Sequence, residues 1–207
     1  MYNQMRYPKT YDSNRLFNIR FAEWIHTRFF KKPGKVLDIG SGRGWLLEGF
    51  SKLNYETYGT DKDSDGTDLD KDKLKFQPSK FDYIISKDTI EHLNNPCNLL
   101  KESYRLLKSK GKIIIITPGA ETMTFGEFYS EYTHKTPFTK KALRQALQLH
   151  GFKNIKIHYI RNLPYIWRWT LKAFDSQINL LSMIEHIKKL KLPKLQYSMT
   201  LLAEAQK

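Results

Sequence analysis

Val36-Leu37-Asp38-Ile39-Gly40-Ser41-Gly42-Arg43-Gly44-Trp45-Leu46-Leu47 is the stretch around which the chain is organised. An apolar run long enough for a buried parallel strand breaks into three alternating glycines, and a helical pattern begins at once. Glycine adopts positive φ and leaves no Cβ in the way of an approaching ligand. A doubly wound α/β domain opens a nucleoside site in this way, at the carboxyl end of its first strand. Taken alone, the glycines also describe a tight strand–helix turn, the lesser of the two readings. The context argues for a site: Tyr55-Glu56-Thr57-Tyr58-Gly59-Thr60 is β-prone and ends at Asp61. An acid in that place accepts hydrogen bonds from ribose hydroxyls.

The turn also discriminates between nucleosides. A dinucleotide site asks for Gly-x-Gly-x-x-Gly, so that a pyrophosphate can sit on the helix amino terminus. Here the third glycine position is Trp45, and Gly44 comes one residue early. Asp38, immediately before the turn, suits a cation better than a diphosphate. S-adenosylmethionine carries an ammonium and a sulfonium and no phosphate, and these residues favour it over NAD.

Outward from the turn, residues 1–12 read as an arm. Phe17, Phe21, Trp24, Ile25, Arg28 and Phe29 then fall at helical spacing, in a helix from Ser13 to Phe30 that Pro33-Gly34 stops. Strands are predicted at about 35–39, 55–60, 81–86, 113–116, 154–160 and 197–205, with helices at about 45–53, 96–107 and 139–149. Ile113 to Ile116 is the most hydrophobic run and reads as a central strand. Lys62-Asp63-Ser64-Asp65-Gly66 is too short and polar for a crossover helix, which breaks the usual βαβ rhythm.

The ordered set resembles the class I S-adenosylmethionine-dependent methyltransferases, of the broad small-molecule branch often called type 11. The matching pieces are residues 36–44, Tyr58-Gly59-Thr60-Asp61, Thr67-Asp68-Leu69, Phe81-Asp82-Tyr83-Ile84, Asp88-Thr89-Ile90-Glu91-His92-Leu93, and residues 106–118. The resemblance runs from about Lys35 to Ile160, plus the last strand. It implies a Rossmann-like α/β fold with a seven-stranded, mostly parallel sheet whose last strand is antiparallel. Residues 1–34 would be arm and helix, 35–160 the cofactor-binding core, 161–196 an insertion and 197–207 the last strand, all one domain. It implies that Gly40, Ser41 and Gly42 hold the methionine moiety, with Asp38 supporting the turn. Asp61 would take the ribose, Lys62, Asp68 and Leu69 the adenine, and Ser86 and Lys87 the amino-acid end. The helix normally found between Asp61 and the Asp68 strand is missing, so Asp68 also reads as a plain polar loop acid.

Methyl transfer from a sulfonium is an in-line displacement, and a hydroxyl acceptor also needs a base. Asp88, Glu91 and His92 would share one face of a helix starting near Asp88. His134 lies in Thr133-His134-Lys135-Thr136-Pro137-Phe138-Thr139, which resembles a segment near the substrate mouth of some relatives. His92 or His134 is the expected base. The plainer readings are that Asp88 caps a helix, Glu91 pairs with a lysine and the histidines pack. No metal is expected.

The totals set the partners. A net charge of +14 favours anionic ones. The single Cys97 excludes an internal disulfide, and the absence of a leader or a membrane-length apolar run leads to an expected cytoplasmic protein. Residues 161–196 carry seven Lys or Arg against Asp175 and Glu185, a net of +5, among Tyr165, Trp167, Trp169 and Phe174. A substrate lid is the first reading, peripheral contact with an anionic membrane the second, and nucleic acid the last. The expected acceptor is an oxygen, less favourably a nitrogen, of a small molecule or saccharide, lipid-linked or phosphorylated. The rival readings are a non-catalytic nucleoside- or membrane-binding module and an NAD-dependent reductase. Oligomeric state is not legible.

Overall fold

The computed structural model describes residues 11–123, 128–161 and 199–207. Helix α1 (Tyr11–Ile25) and a π-helical turn (His26–Phe30) precede β1 (Lys35–Ile39), α2 (Trp45–Lys52) and β2 (Glu56–Thr60). A single-turn helix α3 (Lys62–Asp65) leads to β3 (Phe81–Lys87), and a 3-10 turn (Ile90–His92) to α4 (Pro96–Leu106). The chain continues with β4 (Leu107–Pro118), α5 (Lys140–Leu149), β5 (Lys153–Arg161) and β6 (Met199–Gln206). The strands form one sheet in the order β2-β1-β3-β4-β6-β5. Strand β6 runs antiparallel to both of its neighbours, and the pairs among β1 to β4 are parallel.

Alternation along the strands divides the core in two. Ile113 and Ile115 of β4 face one side, with Leu99 and Leu100 of α4 and Leu143 and Leu147 of α5. Ile114 and Ile116 face the other, with Phe21, Ala22 and Ile25 of α1 and Leu46 and Phe50 of α2. A strand buried on both faces has to be apolar throughout, which is why this run is so hydrophobic.

The resemblance leads to seven strands; six are present among the described residues. The segment expected to be the seventh, around Thr67-Asp68-Leu69, is a loop because its aspartates satisfy its own backbone. Asp72 Oδ2 accepts from Asp68 N at 2.7 Å and Asp68 Oδ1 from Asp70 N at 3.1 Å. Such local bonds compete with a sheet ladder. Helix α4 then pins the loop. Asn98 Nδ2 donates to the carbonyls of Leu69 and Asp72, both at 3.0 Å. Glu102 Oε2 accepts from Leu74 N at 2.9 Å, and Arg105 donates to the carbonyls of Leu74 and Phe76. This staple stands in for the missing crossover helix.

The amino-terminal helix is expected to run to Phe30 with Arg28 on its apolar stripe. Instead the winding widens to π after Ile25, which leaves Arg28 exposed and Phe30 buried. Helix α1 is fastened to α2 by Arg15, whose Nε and Nη2 reach the Glu48 carboxylate at 2.8 and 2.7 Å. Residues 1–10 of the arm, with Tyr7, which together with Tyr11 the resemblance offers as a cover for the cofactor, and the basic aromatic segment 162–196 lie outside the described residues; residues 11 and 12, expected in the arm, begin α1. No described helix is long and apolar enough to cross a membrane.

Helices α1 and α2 touch at Gly49, where a Cβ would stand 2.6 Å from Ala22 Cβ and 2.8 Å from the Ile19 carbonyl oxygen. On an open helix Gly→Ala stabilises by about 1 kcal/mol. Here overpacking against backbone reverses the sign, and Gly49→Ala is expected to destabilise by about 1–3 kcal/mol. Urea unfolding checks this; an unchanged or higher midpoint would show that the two helices are not in close contact.

Candidate active site

The glycine turn hangs from the end of β2. Gly40 N and Ser41 N both donate to the Thr60 carbonyl, at 2.9 and 3.2 Å, and Gly42 N donates to Asp61 Oδ2 at 3.0 Å. The other Asp61 oxygen accepts from Asp63 N at 2.9 Å and so caps α3. Gly40 has φ +83°, and a Cβ there would lie 2.1 Å from Thr89 Oγ1. The loop after β3 therefore presses directly on the turn, and only glycine fits between them.

Above this turn lies a cavity of about 560 Å³. Of the expected cofactor residues, Asp38, Gly40, Ser41, Gly42, Asp61, Lys62, Asp68, Leu69 and Lys87 line it. Ser86 does not: it is buried, and its hydroxyl donates to the Ile39 carbonyl at 2.9 Å, tying β3 to β1. Asp68 reaches the wall with its carboxylate already engaged, Oδ1 by Asp70 N and Oδ2 by Lys71 at 3.3 Å. These bonds, led by the one from Asp70, hold its pKa below the ordinary value. Thr89 also lines the cavity, as do Asn14, Phe17 and Asn18 of α1; the resemblance places an amino-terminal segment over the cofactor but singles out none of these four residues for the site. The surplus of aromatics on α1 was the available signal.

Charge on the wall runs against the charge of the chain. Asp38, Asp61, Asp63, Asp68, Asp70 and Asp88 line the cavity against Arg43, Lys62 and Lys87, although the whole chain carries +14. Asp38 is 3% exposed, and its Oδ1 has no hydrogen-bond partner among the described residues. Burial pushes its carboxyl up to about 7; Lys87 opposes the rise and Asp61 adds to it. Burial likewise works against the Lys87 ammonium, but its ion pair with Asp88 and the nearby Asp38 and Glu91 keep its pKa above the ordinary value.

The expected catalytic residues are only partly gathered. Asp88 takes φ +51° and turns the chain into a 3-10 turn instead of an α-helix. Asp88 consequently falls outside the group that Glu91 and His92 form, in which one ligand atom of each lies within 4.8 Å of the other. Asp88 pairs with Lys87, and Glu91 is buried and accepts from Thr117 Oγ1 at 2.9 Å. His92 lines the cavity. His134 is brought from a distant segment to lie beside it, with ring centroids 4.9 Å apart and the planes inclined at 50°, although it does not itself line the cavity.

A family described as a methyltransferase domain matches the chain over residues 13–157. The chain belongs to the class I S-adenosylmethionine-dependent methyltransferases. It is 32% identical to a ubiquinone biosynthesis O-methyltransferase of Pelagibacter ubique over 40% of this chain and 41% of that protein. It is 24% identical to phosphoethanolamine N-methyltransferase 2 of Caenorhabditis elegans over 72% of this chain and 38% of the other. The chain thus spans less than half the length of either relative. The same fold occurs in a crystal structure of a SAM-dependent methyltransferase from Archaeoglobus fulgidus, with a TM-score of 0.65, 23% identity and 93% of each chain covered.

The methyltransferase family implies S-adenosylmethionine, and the cavity fits it. An acid-rich wall and a buried carboxylate with an unmatched oxygen suit a ligand bearing an ammonium and a sulfonium, and they disfavour a diphosphate.

Asp38 carries a testable pH dependence. Its pKa is about 7 in the folded chain against an ordinary 3.8, so ionising it penalises the native state. The penalty is absent below pH 4, grows from 4 to 7 and is constant above. Relative to wild type, Asp38→Asn should therefore gain stability across that window by up to about 1.4 kcal/mol per pH unit. Denaturant unfolding at a series of pH values checks this; parallel curves would contradict it.

Proposed function

We propose that this methyltransferase acts on an oxygen of a small molecule or saccharide. The observation that carries the reading is His92 on the cavity wall with its ring already oriented. Its Nδ1 faces the Thr133 carbonyl at 3.3 Å. A carbonyl only accepts, so the ring proton sits on Nδ1 and Nε2 is the basic nitrogen. S-adenosylmethionine, when bound, supplies an electrophilic methyl carbon. The backbone of Gly40, Ser41 and Gly42 would position its methionine end, Asp38 its ammonium, Asp61 its ribose, and Lys62, Asp68 and Leu69 its adenine. Lys87 would hold the Asp38 and Asp88 carboxylates in place. A neutral hydroxyl is a weak nucleophile until it gives up its proton, and His92, backed by His134, is placed to take it.

The O-methyltransferase name of the Pelagibacter relative supports oxygen. The phosphoethanolamine substrate in the name of the Caenorhabditis relative, together with the +14 charge, supports an acceptor that carries phosphate. Methylation of the nitrogen of a phosphorylated amine is the second reading on the same grounds.

A screen of hydroxylated, phosphorylated and glycan acceptors with labelled methyl donor tests the reading. On the acceptor found, His92→Ala is expected to lower kcat by about 10²–10⁴-fold, with cofactor affinity unchanged, and His134→Ala by less. Unchanged turnover in both variants would overturn the assignment.

A further inference from the structure

We propose that Glu91, His92 and His134 form a divalent-metal site beside the cofactor cavity. One ligand atom from each lies within 4.8 Å of the others, in the one such cluster of His, Cys, Asp or Glu among the described residues. Ligand bonds of about 2.1 Å place two donors about 3.4 Å apart around a tetrahedral ion. A closure on the order of 1 Å, within reach of small side-chain rotations, completes the site.

The surroundings are those of ligands rather than of packing histidines. His134 Nδ1 faces the Phe128 carbonyl at 2.7 Å and His92 Nδ1 faces that of Thr133 at 3.3 Å. Both rings are thereby set in the tautomer that offers Nε2 to a metal, with the other nitrogen anchored on a carbonyl as in most metal-binding histidines. Thr117 Oγ1 fixes the Glu91 carboxylate in the same manner. The two chain segments are locked together by backbone bonds that do not involve the rings. The Glu91 carbonyl accepts from Lys135 N at 2.8 Å and Thr136 N at 3.0 Å, and Thr136 Oγ1 donates to the Leu93 carbonyl at 2.7 Å.

Two imidazoles and one carboxylate suit Zn²⁺, Mn²⁺, Fe²⁺ or Co²⁺ better than Ca²⁺ or Mg²⁺. Through His92 the ion would face the cavity with coordination positions open, and an acceptor hydroxyl bound there would lose its proton more readily. That consequence rests on the acceptor reading above, and the metal site itself rests on the cluster alone. Metal binding and general-base action use the same nitrogens and exclude one another. Glu131 Oε2 lies 3.5 Å from His134 Nε2, on the side the ion would take.

Titrating the chelator-stripped full chain with Co²⁺, followed by visible d–d absorption, tests the site. The expected result is a saturable visible band, displaced by Zn²⁺ and weakened at least tenfold in affinity in both His134→Ala and Glu91→Gln. S-adenosylmethionine affinity should stay within twofold in the same variants. Should Glu91→Gln not fold by circular dichroism, His134→Ala and Thr117→Val, the latter expected to bind 10–100-fold more weakly, carry the test. No band in the wild type, or an unchanged one in His134→Ala, overturns the proposal. A band that responds as expected in a chain that methylates no oxygen acceptor upholds the site and overturns the acceptor reading instead.

Discussion

A carboxylate held out of water with one oxygen unmatched is costly, and the site is arranged around that cost at Asp38. The residue lies in β1, the second strand from the sheet edge, where β2 and β3 flank it and water has little access. Lys87 offsets part of the charge but is itself drawn toward Asp88. The remaining imbalance of charge favours a cation over an anion beside Asp38. The turn beside it is bare at Gly40, where the opposing Thr89 leaves no room for a side chain.

In an unbroken βαβ unit a crossover helix would stand behind the cavity wall at Asp68 and Leu69. Here a polar loop does so, held by the side chains of α4 through Asn98, Glu102 and Arg105. The Glu102–Arg105 pair is therefore not an idle buried ion pair, because its remaining donors and acceptors are spent on the loop backbone. The loop brings Asp68 and Leu69 to the cavity although neither belongs to a strand.

Features written in local patterns were legible in the sequence. The apolar run, the glycines and the helix after them predicted β1, the turn and α2 to within a residue, and the acid at the end of β2 was found by position. The antiparallel last strand followed from resemblance. Features that depend on long-range packing were not legible. Thr89 becomes part of the turn only because β3 lies beside β1. Glu91 and His134 meet only because the loop after β4 folds back onto the 3-10 turn. The expected helical face of Asp88, Glu91 and His92 failed because one positive-φ residue redirects the chain, and the seventh strand failed because aspartates capture their own backbone.

The central claim is that Asp38 waits for a cation supplied by the cofactor. Calorimetry of S-adenosylmethionine binding at pH 7, in two buffers of different ionisation enthalpy, measures this directly. With the Asp38 carboxyl near its midpoint in the empty site, a bound ammonium should drive it to ionise and release about half a proton, and Asp38→Asn should release none. Binding without proton release, or no binding of S-adenosylmethionine at all, would contradict the account.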